Sequence, residues 1–281
     1  MKNSIIKTFS VILVFIISSS IMLTGCQKNN SSANNTSGSS GTITISGSTS
    51  VQPLAQILAD EFNNENPDIK IDIQAGGSST GIRNAATKVT DIGSSSRSLK
   101  EEEKAWALRE ITIAIDGIAV VVNPNNSVEN LSKDNLIKIF TGEITNWKDV
   151  GGADREIIVI NREDGSGTRG AFEEILGIEG KSRKDALISN ENGVVKATVA
   201  SKEDAIGYMS LGYVDQSVKT LKVDNIEPSV ENVKSGKYSI SRPFLMVTNE
   251  EIKPEVQTFL DFVLSQKGQK IVEEQGYLSA K

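Results

Sequence analysis

Three short glycine- and hydroxyl-rich turns hold most of the sequence's candidate ligand chemistry: Gly47-Ser48-Thr49-Ser50, Gly76-Gly77-Ser78-Ser79-Thr80-Gly81 and Asp164-Gly165-Ser166-Gly167-Thr168. The last begins two residues after Arg162. Glycine allows a sharp backbone turn, and serine or threonine can cap a helix or donate to a ligand. A helix start carries unpaired N–H groups and a partial positive charge, which together favour anions. A single turn of this kind is ordinary helix capping. Three of them at the carboxyl ends of strands, where open α/β sheets bind ligands, point to an anion pocket. Arginine adds planar, paired donors for an oxyanion.

Composition removes several other chemistries. The 281 residues contain no histidine, so Ser-His-Asp and Cys-His catalysis and His-ligated zinc are all excluded. One cysteine excludes an internal disulfide and a cysteine metal cluster. A net charge of −6 argues against a nucleic-acid surface. Three motif look-alikes fail in context. Gly165 to Gly170 fits G-x-G-x-x-G, with Asp185 beyond it, but this strand lies deep in the chain. Gly77 to Gly81 fits the nucleophile elbow, yet Ser79 has no histidine base. Gly180-Lys181-Ser182 ends like a phosphate loop, but Ile175 stands where its first glycine should be.

The elements around the turns alternate. Ile43 and Ile45 mark a strand, and Leu54, Ile57, Leu58 and Phe62 recur at helical spacing, with Pro53 in the first turn. Ile69, Ile71 and Ile73 form a second strand, followed by a helix through Ile82 and Ala86. Ile157 to Ile160 form a third, followed by a helix with Ala171, Phe172, Ile175 and Leu176 on one face. This repeated strand–turn–helix unit predicts an α/β fold with mostly parallel sheets. The apolar run Ile111 to Val122, broken by Thr112, Asp116 and Gly117, predicts a buried strand and a crossing segment. Trp106, Phe140 and Trp147 are expected in cores, and Val256 to Ile271 as one or two C-terminal helices.

The N-terminus has a different character. Lys2 and Lys7, the apolar stretch Phe9 to Ile17 and small residues before Leu23-Thr24-Gly25-Cys26 describe an export signal over residues 1–25. Its L-T-G-C ending resembles a bacterial lipobox, which makes Cys26 the expected lipidated residue, with palmitate among the expected acyl groups. The Ser-, Asn- and Gly-rich residues to 41 read as a flexible tether.

Taken together, the sequence resembles the phosphate-binding proteins of bacterial phosphate ABC transporters, the PstS family, in their lipoprotein form. The resemblance rests on G-S-T-S-V-Q-P-L-A at Gly47 to Ala55, G-G-S-S-T-G at Gly76 to Gly81 and D-I-G-S-S-S-R at Asp91 to Arg97. It also rests on D-G-I-A-V-V-V-N at Asp116 to Asn123, R-E-D-G-S-G-T-R at Arg162 to Arg169, A-I-G-Y at Ala205 to Tyr208, R-P-F at Arg242 to Phe244 and G-Y-L at Gly276 to Leu278. It implies a type II periplasmic-binding-protein fold: two α/β lobes joined by crossing strands, with a ligand cleft between them. One lobe would comprise residues 42–121 plus 246–281, the other 122–245. Carried over by position, the resemblance implies that Thr49, Ser50, Ser78, Ser96, Arg162, Ser166, Gly167 and Thr168 contact phosphate. Asp164 would steady Arg162. Many family members have an aspartate where Ser96 stands, so Asp116, directly or through Arg97, is a candidate replacement carboxylate; capping a turn or pairing with Arg97 is the alternative role for Asp116.

The expected function is a monomeric, lipid-anchored receptor on the extracytoplasmic face of the cell membrane. It would capture inorganic phosphate and deliver it to an ABC permease, without cofactor, metal or catalysis. A receptor for sulfate or molybdate, an extracytoplasmic phosphoester enzyme and an adhesion or sensory module are the alternatives.

Overall fold

The computed structural model describes residues 41–280. The export segment, Cys26 and nearly all of the tether lie outside the described residues.

The strands, in chain order, are β1 (Gly41–Gly47), β2 (Ile69–Ala75), β3 (Ile92–Ser95), β4 (Arg109–Val122), β5 (Asn130–Leu131), β6 (Ile158–Arg162), β7 (Leu187–Ser189), β8 (Ala205–Ser210), β9 (Lys219–Thr220), β10 (Lys222–Val223), β11 (Ser241–Thr248) and β12 (Leu278–Ser279). The helices are α1 (Gln52–Glu65), α2 (Ser78–Ala86), α3 (Glu101–Lys104), α4 (Lys133–Thr141), α5 (Gly167–Leu176), α6 (Asn192–Ser201), α7 (Val230–Lys234), α8 (Pro254–Val263) and α9 (Gln266–Glu274). Pro53 occupies the first turn of α1, and Leu54, Leu58 and Phe62 point into the core as their spacing requires.

One hydrogen-bonded path runs β2-β1-β3-β11-β4-β8-β6-β7, with β12 and β9 beside β4; β5 and β10 form a separate ribbon. The expectation of mostly parallel sheets needs correction. β1 is parallel to β2 and β3, and β6 is parallel to β7 and β8. Yet β4 and β11 run antiparallel to each other, and likewise to β8 and β3 respectively. Alternating patterns mark the strand–helix units, but the direction of a strand that passes from one half of the molecule to the other leaves no mark in hydropathy.

The long strand β4 contributes to three cores, two of which mark its passage. Ile111, Ile113 and Ala114 pack with Ile43, Leu58, Phe62, Phe244 and Phe259. Ile118, Val120 and Val122 pack with Phe140, Trp147, Phe172 and Tyr208. On the partner strand, Phe244 and Met246 belong to the first core, and Ile240 just before it belongs to the second. The changeover falls at Ile115-Asp116-Gly117, paired with Pro243-Arg242-Ser241. Phe140 and Trp147 are buried as expected, but Trp106 is 40% exposed: it follows the single-turn helix α3, which stands on the surface.

Candidate anion-binding site

Each of the three turns ends a strand and starts a helix: β1 into α1, β2 into α2 and β6 into α5. Gly47 has φ +138°, and a Cβ there would lie 2.2 Å from the Ser94 carbonyl oxygen, so only glycine fits this close approach. Its carbonyl accepts from the Gly76 and Gly77 amides at 2.9 and 2.8 Å, which ties the first turn to the second. Ser166 caps α5 by accepting from the Arg169 amide at 3.3 Å.

The turns converge on a buried cluster of hydroxyls and guanidiniums. Ser50 Oγ accepts from Asn192 Nδ2 at 2.9 Å and from Arg242 Nη2 at 3.2 Å, and lies 2.9 Å from Thr168 Oγ1. A hydroxyl accepts about two hydrogen bonds, so the Ser50 proton goes to Thr168, which keeps its own proton to donate. Ser48 Oγ is placed the same way. It accepts from the amides of Ser50 and Val51 and donates to Ser96 Oγ at 2.8 Å. Ser78 Oγ accepts from the Ser96 amide at 3.0 Å. The start of α5 closes against this group: a Cβ on Gly167 would sit 2.2 Å from Ser78 Oγ and 2.6 Å from Ser96 Oγ.

Two arginines reach the cluster. Arg162, at the end of β6, is 1% exposed in its side chain and donates through Nη2 to Thr49 Oγ1 at 3.1 Å. Its remaining donors go to the Ser189 and Asn190 carbonyls, Asn192 Oδ1 and the Glu163 carboxylate. Arg242, on β11, donates through Nη1 to the Ser96 carbonyl at 3.2 Å and through Nε and Nη2 to Asp116 Oδ2 at 3.2 and 3.0 Å. Asp116 Oδ1 accepts from Ser210 Oγ at 3.0 Å. Burial pushes the Asp116 carboxyl up to about 6, against the pull of Arg242; the same burial lowers Arg242. Such an array of donors, buried and held in place, is what a desolvated oxyanion needs.

The chain matches the PBP superfamily domain over residues 32–267. It is 39% identical to the phosphate-binding protein PstS of Bacillus subtilis, over 90% of this chain and 85% of that protein. The chain belongs to the PstS family. Among solved structures it is similar to a putative phosphate ABC transporter substrate-binding protein with bound phosphate from Clostridium perfringens. That likeness has a TM-score of 0.84 and 46% identity, covering 86% of this chain and all of that one. An ABC-type phosphate transport receptor from Vibrio cholerae matches with a TM-score of 0.73 and 38% identity, covering 85% of this chain and all of that one.

In this PstS-family chain the structure gathers Thr49, Ser50, Ser78, Ser96, Arg162, Ser166, Gly167 and Thr168 around one buried region. Two supporting residues differ from expectation, and for a third, Asp116, the route through Arg97 is closed. Asp164 does not steady Arg162: its carboxylate is 95% exposed and takes Arg169 Nη1 at 2.6 Å. Glu163, which lies between the two in sequence, holds Arg162 instead. Arg97 is turned away from Asp116 by a two-pronged pair with Glu103 at 2.6 and 2.7 Å, and also donates to Ser79 Oγ. The route from Asp116 through Arg97 therefore does not exist, nor does their pairing. Asp116 works on Arg242. Sequence reasoning gave no role to Arg242, Asn192 or Ser48. Arg242 stood inside the R-P-F match but beside no glycine turn, and Asn192 had no local signal.

Proposed function

We propose that this protein is a lipid-anchored receptor that binds inorganic phosphate in the cleft between two lobes and delivers it to an ABC permease on the extracytoplasmic side of the membrane. One observation carries the reading. Hydroxyl and guanidinium donors from β1–α1, β3, β6, α5 and β11 meet, buried, within hydrogen-bond distance of one another. Donors on elements that pack into different hydrophobic cores interleave there, as in Ser50 with Thr168 and Thr49 with Arg162. A protein of this kind closes its lobes on the ligand through contacts that only the closed state makes. The two strand passages at Ile115–Gly117 and Ser241–Pro243 are the natural hinge.

The phosphate ligands of the relatives support the choice of anion, and the Leu23-Thr24-Gly25-Cys26 ending supports the anchor. Isothermal titration with phosphate, sulfate, molybdate and a phosphomonoester tests the ligand. Phosphate is expected to bind tightest; tighter binding of another anion moves the protein to that substrate. For the anchor, a Cys26→Ser variant is expected to leave the membrane fraction. If it partitions like the wild type, the lipid anchor is wrong.

A further inference from the structure

Arg242 stands apart from the three turns. It lies on β11 at the strand passage, directly opposite Asp116 in the antiparallel register, and its side chain is 1% exposed. A buried aspartate explains only part of this placement. Nε and one edge of Nη2 satisfy Asp116 Oδ2. The rest of the guanidinium is turned the other way, with Nη2 donating to Ser50 Oγ and Nη1 to the Ser96 carbonyl. Those two residues belong to the turn after β1 and the turn after β3. Arg242 therefore spans from the hinge into the donor cluster.

Its charge is also costly where it stands. Burial lowers the hold of Arg242 on its proton, Asp116 opposes that, and the Arg162 cation adds to it. Two buried guanidiniums close enough to repel are answered by one fully buried carboxylate, Asp116, and by the partly exposed Glu163. A multiply charged anion among Ser50, Thr168 and Ser96 would relieve that repulsion.

We infer that Arg242 is a second guanidinium contact for the bound anion, approaching from the hinge side while Arg162 approaches from β6. Asp116 and Ser210 fix its orientation. The inference rests on the anion-site reading proposed above.

Arg242→Gln alone would leave Asp116 buried without its partner and could fail to fold for that reason. The deciding variant is therefore Arg242→Gln with Asp116→Asn. Both charges of the pair leave together, so the net charge of the cleft is unchanged, and the loss beyond that of Asp116→Asn alone reports the contact. Circular dichroism and melting establish that the variant folds. Titration calorimetry with inorganic phosphate at neutral pH is expected to show at least a thirtyfold loss of affinity against wild type, with the single variant Arg242→Lys, which keeps Asp116, giving an intermediate value. A folded double variant binding within twofold of wild type overturns the inference: Arg242 would then be only the partner of Asp116. If wild type ignores phosphate but takes sulfate or molybdate, the choice of anion fails, and the same variants titrated with that anion decide the role of Arg242. If wild type binds none of the three, both readings fall.

Discussion

Asp116 and Arg242 face each other across β4 and β11 at the point where both strands pass from one hydrophobic core to the other, with Nη2 and Oδ2 3.0 Å apart. The pair is fully buried, and each member supplies the other's hydrogen-bond partner as well as its counter-charge. Its other contacts, Ser210 from β8, Ser50 from the first turn and the Ser96 carbonyl, come from both sides of the passage. The strand passage and the donor cluster are thus one hydrogen-bonded unit.

That pair makes stability depend on pH in a stated direction. The folded-state value of Asp116 is raised from 3.8 to about 6, so between those values the folded protein binds more protons at this site than the unfolded chain. Stability from this group is then present at the acid end and is lost as pH rises through about 6. The groups facing it are Arg242, Ser210 and, through their fields on the pair, Arg162 and Tyr277. Denaturant unfolding of wild type and Asp116→Asn across this range isolates the effect from other carboxylates. The wild-type-minus-variant difference should fall as pH rises; a flat difference removes the assignment.

Arg162→Ala should weaken phosphate binding by about 2–4 kcal/mol, the range for losing one member of a buried, hydrogen-bonded charge contact. Calorimetry reads the change directly. An affinity within twofold of wild type would mean that Arg162 serves only Glu163 and the Ser189–Asn190 carbonyls.

Gly167→Ala tests closure rather than charge. The added methyl would meet Ser78 Oγ and Ser96 Oγ at 2.2 and 2.6 Å, and both hydroxyls are pinned by other bonds. Because Gly167 begins α5 with ordinary helical backbone, the ligand-free fold should hold. Phosphate affinity is expected to drop about tenfold or more, since overpacking at a closed contact costs about 1–3 kcal/mol. Wild-type affinity in a folded variant would show that the two sides meet less closely in the bound state.

Glu103→Gln separates stability from binding. Burial raises the Glu103 carboxyl, but Arg97 and the Lys100 amide outweigh it and hold the group below its usual range. Taking the charge away leaves Arg97 buried and unpaired, at a cost of about 3 kcal/mol in unfolding free energy. Chemical denaturation measures that cost. Phosphate affinity should stay within about threefold, because the pair lies beside α3 and not among the donors around Ser50. A larger loss of affinity would return Arg97 to the site.

Much of the local architecture was legible in order along the chain. The period-two isoleucines of β1 and β2, the helical spacing of Leu54, Leu58 and Phe62, and the glycine-serine turns all act over a few residues, so sequence neighbours specify them. The hydroxyl donors of the three turns and Arg162 were visible for the same reason: each sits within or beside a turn; Ser96 was placed by the family resemblance alone. The partners of the charges were not visible. Asp164 is two residues from Arg162 but points to solvent, and Glu163 takes the guanidinium instead, a choice made by where the turn after β6 places each carboxylate. Arg97 follows Ser96 yet is drawn off by Glu103. Asp116 and Arg242, 126 residues apart, meet only because two antiparallel strands are in register. Residue types and spacing determined that this chain builds anion-binding turns on an α/β frame. Which arginine each carboxylate holds, and that Arg242 reaches those turns at all, depended on strand pairing across the whole chain, because an ion pair is set by distance in space and its members leave no periodic trace in the sequence.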